Sequence, residues 1–193
     1  MRTKRLVMLS LLLGAGIVLY ILEAFYFPAL PIPGAKLGLA NVVTLLLLVL
    51  YGWRECIFNV VARTIIGSVV TGTFLSPAFF FSFIGALVSA LVMIAVFTTL
   101  FGKFSLVGIS LAGATTHNMT QMVLASILLS HWGIFMETPF LILFAVLAGT
   151  FNGICANHVV KRALFLPKEI LEIDIQNDKV NSWAKIPYAP KNV

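Results

Sequence analysis

Residues Pro31–Tyr51 read PIPGAKLGLANVVTLLLLVLY. A Pro- and Gly-rich turn ends at one lysine, Lys36, and runs without a break into an apolar helix. Asn41 is the only amide on that helix and falls within its first turns. In water this pattern would describe an ordinary buried helix. In a bilayer it describes a loop at the membrane surface, a cation at the rim, and a polar side chain carried inward. Which solvent applies depends on the rest of the chain.

The chain has 193 residues, of which 60% are hydrophobic and 10% charged, with a mean hydropathy of +1.04. A soluble domain of this length needs far more charge to coat its surface. An integral membrane protein, all-α, is therefore expected. Lys and Arg total 13 against 7 Asp and Glu. That excess would point to nucleic acid only if it were clustered on a soluble face. Here it lies in short connections and chain ends, where it acts as a topology signal, so no nucleic-acid partner is expected. Cys56 and Cys155 lack metal-type spacing and read as packing residues.

A span needs about 20 mostly apolar residues. Six segments qualify or come close: Leu6–Phe25, Leu37–Tyr51, Glu55–Gly72, Pro77–Phe101, Leu106–Ser130 and Thr138–Val160. The expected architecture is a bundle of six transmembrane helices over residues 1–166, with a polar cytoplasmic tail over 167–193. The first apolar run is too long for the core of a signal peptide and reads as a retained span. With the N-terminus inside, Arg2, Lys4, Arg5, Arg54, Lys103, Lys161, Arg162 and Lys168 all fall on the cytoplasmic side. The other side keeps Lys36, Glu23 and Glu137, so both termini are expected in the cytoplasm of a multi-pass cell-membrane protein. A rim salt bridge between Lys36 and Glu23 would be worth little, which leaves Lys36 to draw anionic solutes toward the mouth.

Helical backbone satisfies itself in lipid, so the polar side chains inside the spans carry the information. Glu55, Asn59, Arg63, Gly67 and Thr71 recur every fourth residue and share one stripe of the third span. Arg63 lies about 15 Å along the axis from Trp53 at ~1.5 Å per residue, near mid-membrane. A central Arg costs roughly 2.5–3.5 kcal/mol on insertion scales, so it should face the bundle. It then serves as an internal pair, a ligand contact or a coupling element. In the fifth span, Gly113, His117 and Gln121 share a face and Asn118 lies beside them. A lone His there would be an interhelical hydrogen bond; three polar side chains so close form a candidate pocket. Arg63 and His117 are expected to face one enclosed, solute-sized hollow. Ser10 and Gly14, Ser82, Gly85 and Ser89, and Gly149, Asn152, Gly153 and Asn157 form small-residue faces typical of close helix packing.

No phosphate-binding loop, catalytic triad or metal-ligand cluster is visible, so no catalytic residue, metal or cofactor is assigned. The acidic residues include no Asp-rich cluster in a span that would hold Mg²⁺ on a diphosphate.

Several pieces together, Pro33-Gly34-Ala35-Lys36-Leu37-Gly38-Leu39-Ala40-Asn41, Arg63-x3-Gly67, His117-Asn118-x2-Gln121 and the glycines of the sixth span, resemble the small membrane family of Gx transporter proteins, also called heptaprenyl diphosphate synthase component I. The likeness runs over roughly Leu6–Arg162. That family is similar to the substrate-binding S components of energy-coupling-factor transporters. The resemblance implies a six-helix protein that binds a small molecule near its outer face. It also implies a membrane coupling subunit and two cytoplasmic ATPases as partners, an outer loop (Phe27–Lys36) capping the pocket, and Ser10 and Gly14 of the first helix against the coupling subunit.

The expected site is therefore substrate-binding, with Lys36, Asn41, Arg63, His117, Asn118 and Gln121 as its residues. A quinone or isoprenoid precursor is a candidate solute. A noncatalytic membrane subunit of a prenyl synthase is the alternative function, and a structural scaffold pinned by its polar residues is a third.

Overall fold

The computed structural model describes residues 2–26, 38–100, 104–128, 130 and 132–164. These form six α-helices: α1 (Arg2–Tyr26), α2 (Asn41–Leu50), α3 (Trp53–Val70), α4 (Pro77–Thr99), α5 (Leu106–Leu128) and α6 (Thr138–Leu164). A 3-10 turn, Trp132–Glu137, leads into α6. No strand occurs among the described residues. The sequence expectations for Lys36, Lys103, the outer loop Phe27–Lys36 and the tail from residue 167 lie outside them.

Local chemistry sets the breaks. Gly52, at φ +106°, lets the chain turn from α2 directly into α3. Ser76 caps α4 by accepting from the Phe79 N–H at 3.4 Å, with Pro77 in the first helical position, where no amide hydrogen is needed.

The second element departs from expectation. A helix over Leu37–Tyr51 was predicted, but α2 begins at Asn41, after a turn at Gly38–Ala40. Its ten residues cover about 15 Å at ~1.5 Å per residue, half of a hydrocarbon core. Nine of the ten are buried, and every other helix contacts it. The Leu-rich run is apolar on all sides because α2 is enclosed by protein.

Contacts between helices give their directions. Arg5 meets Glu55, and a Cβ on Gly16 would sit 3.4 Å from the Arg63 side chain, so α1 and α3 run parallel. α4 and α5 run antiparallel, with Ser89 bonded to the Gly113 carbonyl and Gly85 facing Gln121. α5 and α6 are also antiparallel, and their approach is closest at glycine. A Cβ on Gly153 would fall 2.5 Å from the Val107 Cα, so the small-residue face expected there is a true backbone-to-backbone contact. Gly14, expected to pack similarly, has nothing within 4 Å and lies on the exposed side of α1.

Polarity is inverted relative to a water-soluble bundle. Arg63, Glu23, Asn41, Asn59, His117, Asn118, Gln121 and Asn152 are buried, while Leu11, Phe58, Ile127, Leu147 and Phe151 are exposed. Three helical segments, Thr3–Tyr26, Pro77–Thr99 and Gly133–Ala163, are long and apolar enough to cross a membrane. The chain is a membrane-embedded helical protein. α3 falls short of that composition because it carries Arg54, Glu55 and Arg63, and α5 because of its run from His117 to Gln121. Of these, Arg63 and His117 belong to the site.

Candidate functional site

The polar residues converge on the turn that precedes α2. Gly38 adopts φ +81°, a left-handed conformation open to glycine. The turn is closed by the Asn41 N–H donating to the Gly38 carbonyl at 3.0 Å. A Cβ on Gly38 would lie 2.9 Å from Asn41 Nδ2 and 3.4 Å from the His117 ring, so conformation and space both demand glycine here.

Each surrounding helix sends a side chain to this turn or to Asn41. From α3, Arg63 donates to the Ala40 carbonyl through Nη1 and to Asn41 Oδ1 through Nη2, the latter at 3.1 Å. From α4, Ser89 Oγ accepts from Asn41 Nδ2 at 3.4 Å and donates to the Gly113 carbonyl of α5 at 2.8 Å. A hydrogen-bonded path thus runs from α3 through α2 and α4 to α5. From α6, Asn152 Nδ2 donates to the Gly38 carbonyl at 3.0 Å. From α1, the Glu23 carboxylate accepts from the Gly38 N–H, and from the Leu39 N–H at 3.4 Å.

Glu23 corrects the sequence reading. It was expected at the rim, but it is 2% exposed and holds the amides of Gly38 and Leu39 in the turn just ahead of α2. A carboxylate is favoured there, because unsatisfied N–H groups and the helix dipole both present positive potential. One acidic residue near the end of an apolar run carries no periodic signal, so the sequence pattern could not find it. The sequence places Asn152 on a packing face; its bond to the Gly38 carbonyl assigns it to the turn.

The expected residues separate into groups. Asn41, Arg63 and His117 line one enclosed void together with Tyr20, Glu23 and Gly38. Its volume is about 10 Å³, room for roughly one water. The solute-sized hollow expected between Arg63 and His117 is closed, because the Gly38–Ala40 turn and the Asn41 amide occupy the guanidinium. Gln121 does not line the void; its Nε2 lies 3.1 Å from His117 Nε2 and orients the imidazole. Asn118 points elsewhere, donating to the Leu141 carbonyl of α6 at 3.0 Å. Lys36 lies outside the described residues.

Several buried acceptors keep unused capacity: Asn59 Oδ1, Asn118 Oδ1, Asn152 Oδ1 and Thr44 Oγ1 have no hydrogen-bond partner among the described residues. Larger crevices are mainly apolar. One of about 340 Å³ runs between α1 and α3, from Leu6 to Asn59, and another of about 390 Å³ lies between α4 and α5 around Phe80 and Ile127. Near the first, Arg5 pairs with Glu55 at 2.5 Å.

What fold and site define is a membrane-embedded helical bundle with a buried, charged polar cluster built around the turn that opens a short helix. The chain belongs to the heptaprenyl diphosphate synthase component I family, whose model matches residues 12–159. That match takes in α2 to α5 whole, α1 and α6 in part, and every described residue of the site. No curated protein and no solved structure matches the chain.

Proposed function

We propose that this protein is the substrate-binding, S-type subunit of an importer of the energy-coupling-factor kind. It would cross the cell membrane six times with both termini in the cytoplasm, and a transmembrane coupling subunit and cytoplasmic ATPases would supply the driving energy. The alternating directions of packed neighbours support that topology, with α2 and its preceding turn together making the second crossing.

The observation that carries the reading is the buried turn at Gly38–Ala40. It reaches from Glu23, near the end of α1, to Arg63, whose side chain packs beside Gly16 midway along that helix. Irregular backbone at membrane depth survives only where protein or a cavity satisfies it. In transporters, helices interrupted near the midplane place their exposed backbone groups at the substrate. Asn41, Arg63 and His117 would then form the binding centre, with Gln121 orienting His117, Asn118 fixing α5 to α6, and Lys36 at the mouth. A quinone or isoprenoid precursor is a candidate solute, consistent with the apolar crevices and the family's name.

Purification in mild detergent, followed by mass spectrometry for bound small molecules and ATPase partners, tests this. Replacing Arg63 by Leu should abolish uptake and ligand retention while leaving membrane insertion intact. Uptake that survives the change would remove Arg63 from the site.

The family description favours one further reading, a noncatalytic membrane subunit of heptaprenyl diphosphate synthase. It requires synthase activity to rise when this chain is reconstituted with the synthase in detergent, without vesicle uptake. A synthase fully active alone would count against it.

A further inference from the structure

The Gly38–Ala40 turn touches both charged side chains of the void with its own peptide groups. Its N–H groups at Gly38 and Leu39 meet Glu23, and its carbonyl at Ala40 meets Arg63. Donor and acceptor lie two residues apart on one short piece of backbone. A third contact, from Asn152 to the Gly38 carbonyl, leaves Asn152 Oδ1 without a partner although Asn152 is 1% exposed. The void beside the turn admits no solute of any size. A ligand that reaches Glu23 and Arg63 must therefore take the place of the turn.

We infer that the ligand's polar end imitates a peptide: it presents an N–H or O–H donor to Glu23 beside a carbonyl acceptor for Arg63, as an amide, lactam or ureide does, and binds by displacing the Gly38–Ala40 turn. A simple carboxylate fits less well. It would satisfy Arg63 but bring a second negative charge beside Glu23, with no proton to offer it. The turn keeps both charges hydrogen-bonded when no ligand is present, which avoids the cost of a buried charge left alone. Asn152 Oδ1 is a spare acceptor for a second ligand donor. This inference rests on the substrate-binding reading above, adds Glu23 and Asn152 to it, and replaces the quinone or isoprenoid precursor with an amide-bearing solute.

The test uses the full chain purified in detergent with three probes of similar size: uracil, 1,3-dimethyluracil and benzoate. Uracil offers the donor–acceptor edge, the dimethyl compound keeps the carbonyls and loses both donors, and benzoate is an anion without a donor. Concentration-dependent thermal shifts report binding. Uracil should bind at least about tenfold more tightly than 1,3-dimethyluracil, because a site built to accept a hydrogen bond discriminates against a ligand lacking it. In Glu23→Gln, whose amide oxygen still accepts but without the charge, that ratio should fall below the wild-type value by at least about threefold. Deuterium uptake over residues 38–41 should rise on uracil binding as the turn leaves Glu23. If Glu23→Gln does not fold, the probe ratio in the wild-type chain and the exchange at the turn decide the matter.

Benzoate binding as tightly as uracil, or no change in exchange at the turn, overturns the inference and leaves the transporter reading standing. Failure of all three probes to bind sinks the peptide-like ligand. Failure of mass spectrometry to find any co-purified solute sinks the substrate-binding reading itself.

Discussion

Arg63 Nη2 on α3 donates to Asn41 Oδ1 at the start of α2, 3.1 Å away, while Nη1 of the same guanidinium holds the Ala40 carbonyl. One side chain thus grips the last residue of a turn and the first residue of a helix. The planar fork of arginine suits two acceptors set side by side, and lysine cannot reproduce it. Arg63→Lys should therefore keep the charge and lose the geometry. The expected result is a protein that inserts normally, melts several degrees lower and retains ligand poorly. Thermal unfolding in detergent, read beside ligand retention, checks this; a wild-type profile for both would mean that charge alone suffices. Arg63→Leu should be more damaging, since each buried acceptor left without a donor costs about 1–3 kcal/mol.

Gly38 and Gly72 form a natural comparison. Both have positive φ, +81° and +69°, but only Gly38 has neighbours where a Cβ would go. Alanine at either site costs roughly 1–2 kcal/mol of backbone strain. At Gly38 it must also push back Asn41 Nδ2, 2.9 Å from the new carbon. Gly38→Ala is thus expected to destabilise more than Gly72→Ala and to impair ligand retention as well, which Gly72→Ala should leave unchanged. Equal losses in the two variants would mean that Asn41 yields easily.

The α5–α6 contact should be among the least tolerant in the bundle. Gly153→Ala places a methyl 2.5 Å from backbone that cannot rotate away. Overpacking of this kind costs typically 1–3 kcal/mol, so the melting temperature should drop by several degrees. A small change would show that α6 can shift along α5.

Gly14 makes the opposite case, because nothing lies within 4 Å of it. Gly14→Trp should leave the isolated protein as stable as the wild type. If the exposed face of α1 docks the proposed coupling subunit, the same substitution should block co-purification with that subunit and stop energised uptake. Retained assembly would move the docking surface elsewhere.

Arg5 and Glu55 are partly exposed, at 34% and 24%. Pairs of this exposure contribute about 0–1 kcal/mol and are screened by salt. Glu55→Gln should therefore shift stability slightly at low salt and not at all at high salt. A loss that persists in high salt would mean that the pair is shielded by more than its exposure indicates.

Five of the six helices could be read to within a few residues, because apolar residues dominate each run and Gly, Pro or charged residues mark its ends. α2 was legible as a helix but not in its extent. Its apolar run continues through Leu37 and Leu39, and only the bonds from Glu23, Arg63 and Asn152 hold the chain out of helix before Asn41. Arg63 and His117 were legible as inward-facing because polar groups in an apolar span must find partners. Asn118 and Gln121 sit on the same helix, yet one bonds α6 and the other His117, a difference of rotation about the axis that composition does not encode.

The order of residues alone thus determined the solvent, the helices among the described residues and that Arg63 and His117 would turn inward, since each follows from the cost of putting charge or bare backbone into lipid. Tertiary structure decided what those side chains meet. Glu23 at the end of α1 and Asn152 on α6 come to one turn from opposite ends of the chain, and hydrogen bonds between such distant residues leave no periodicity to read.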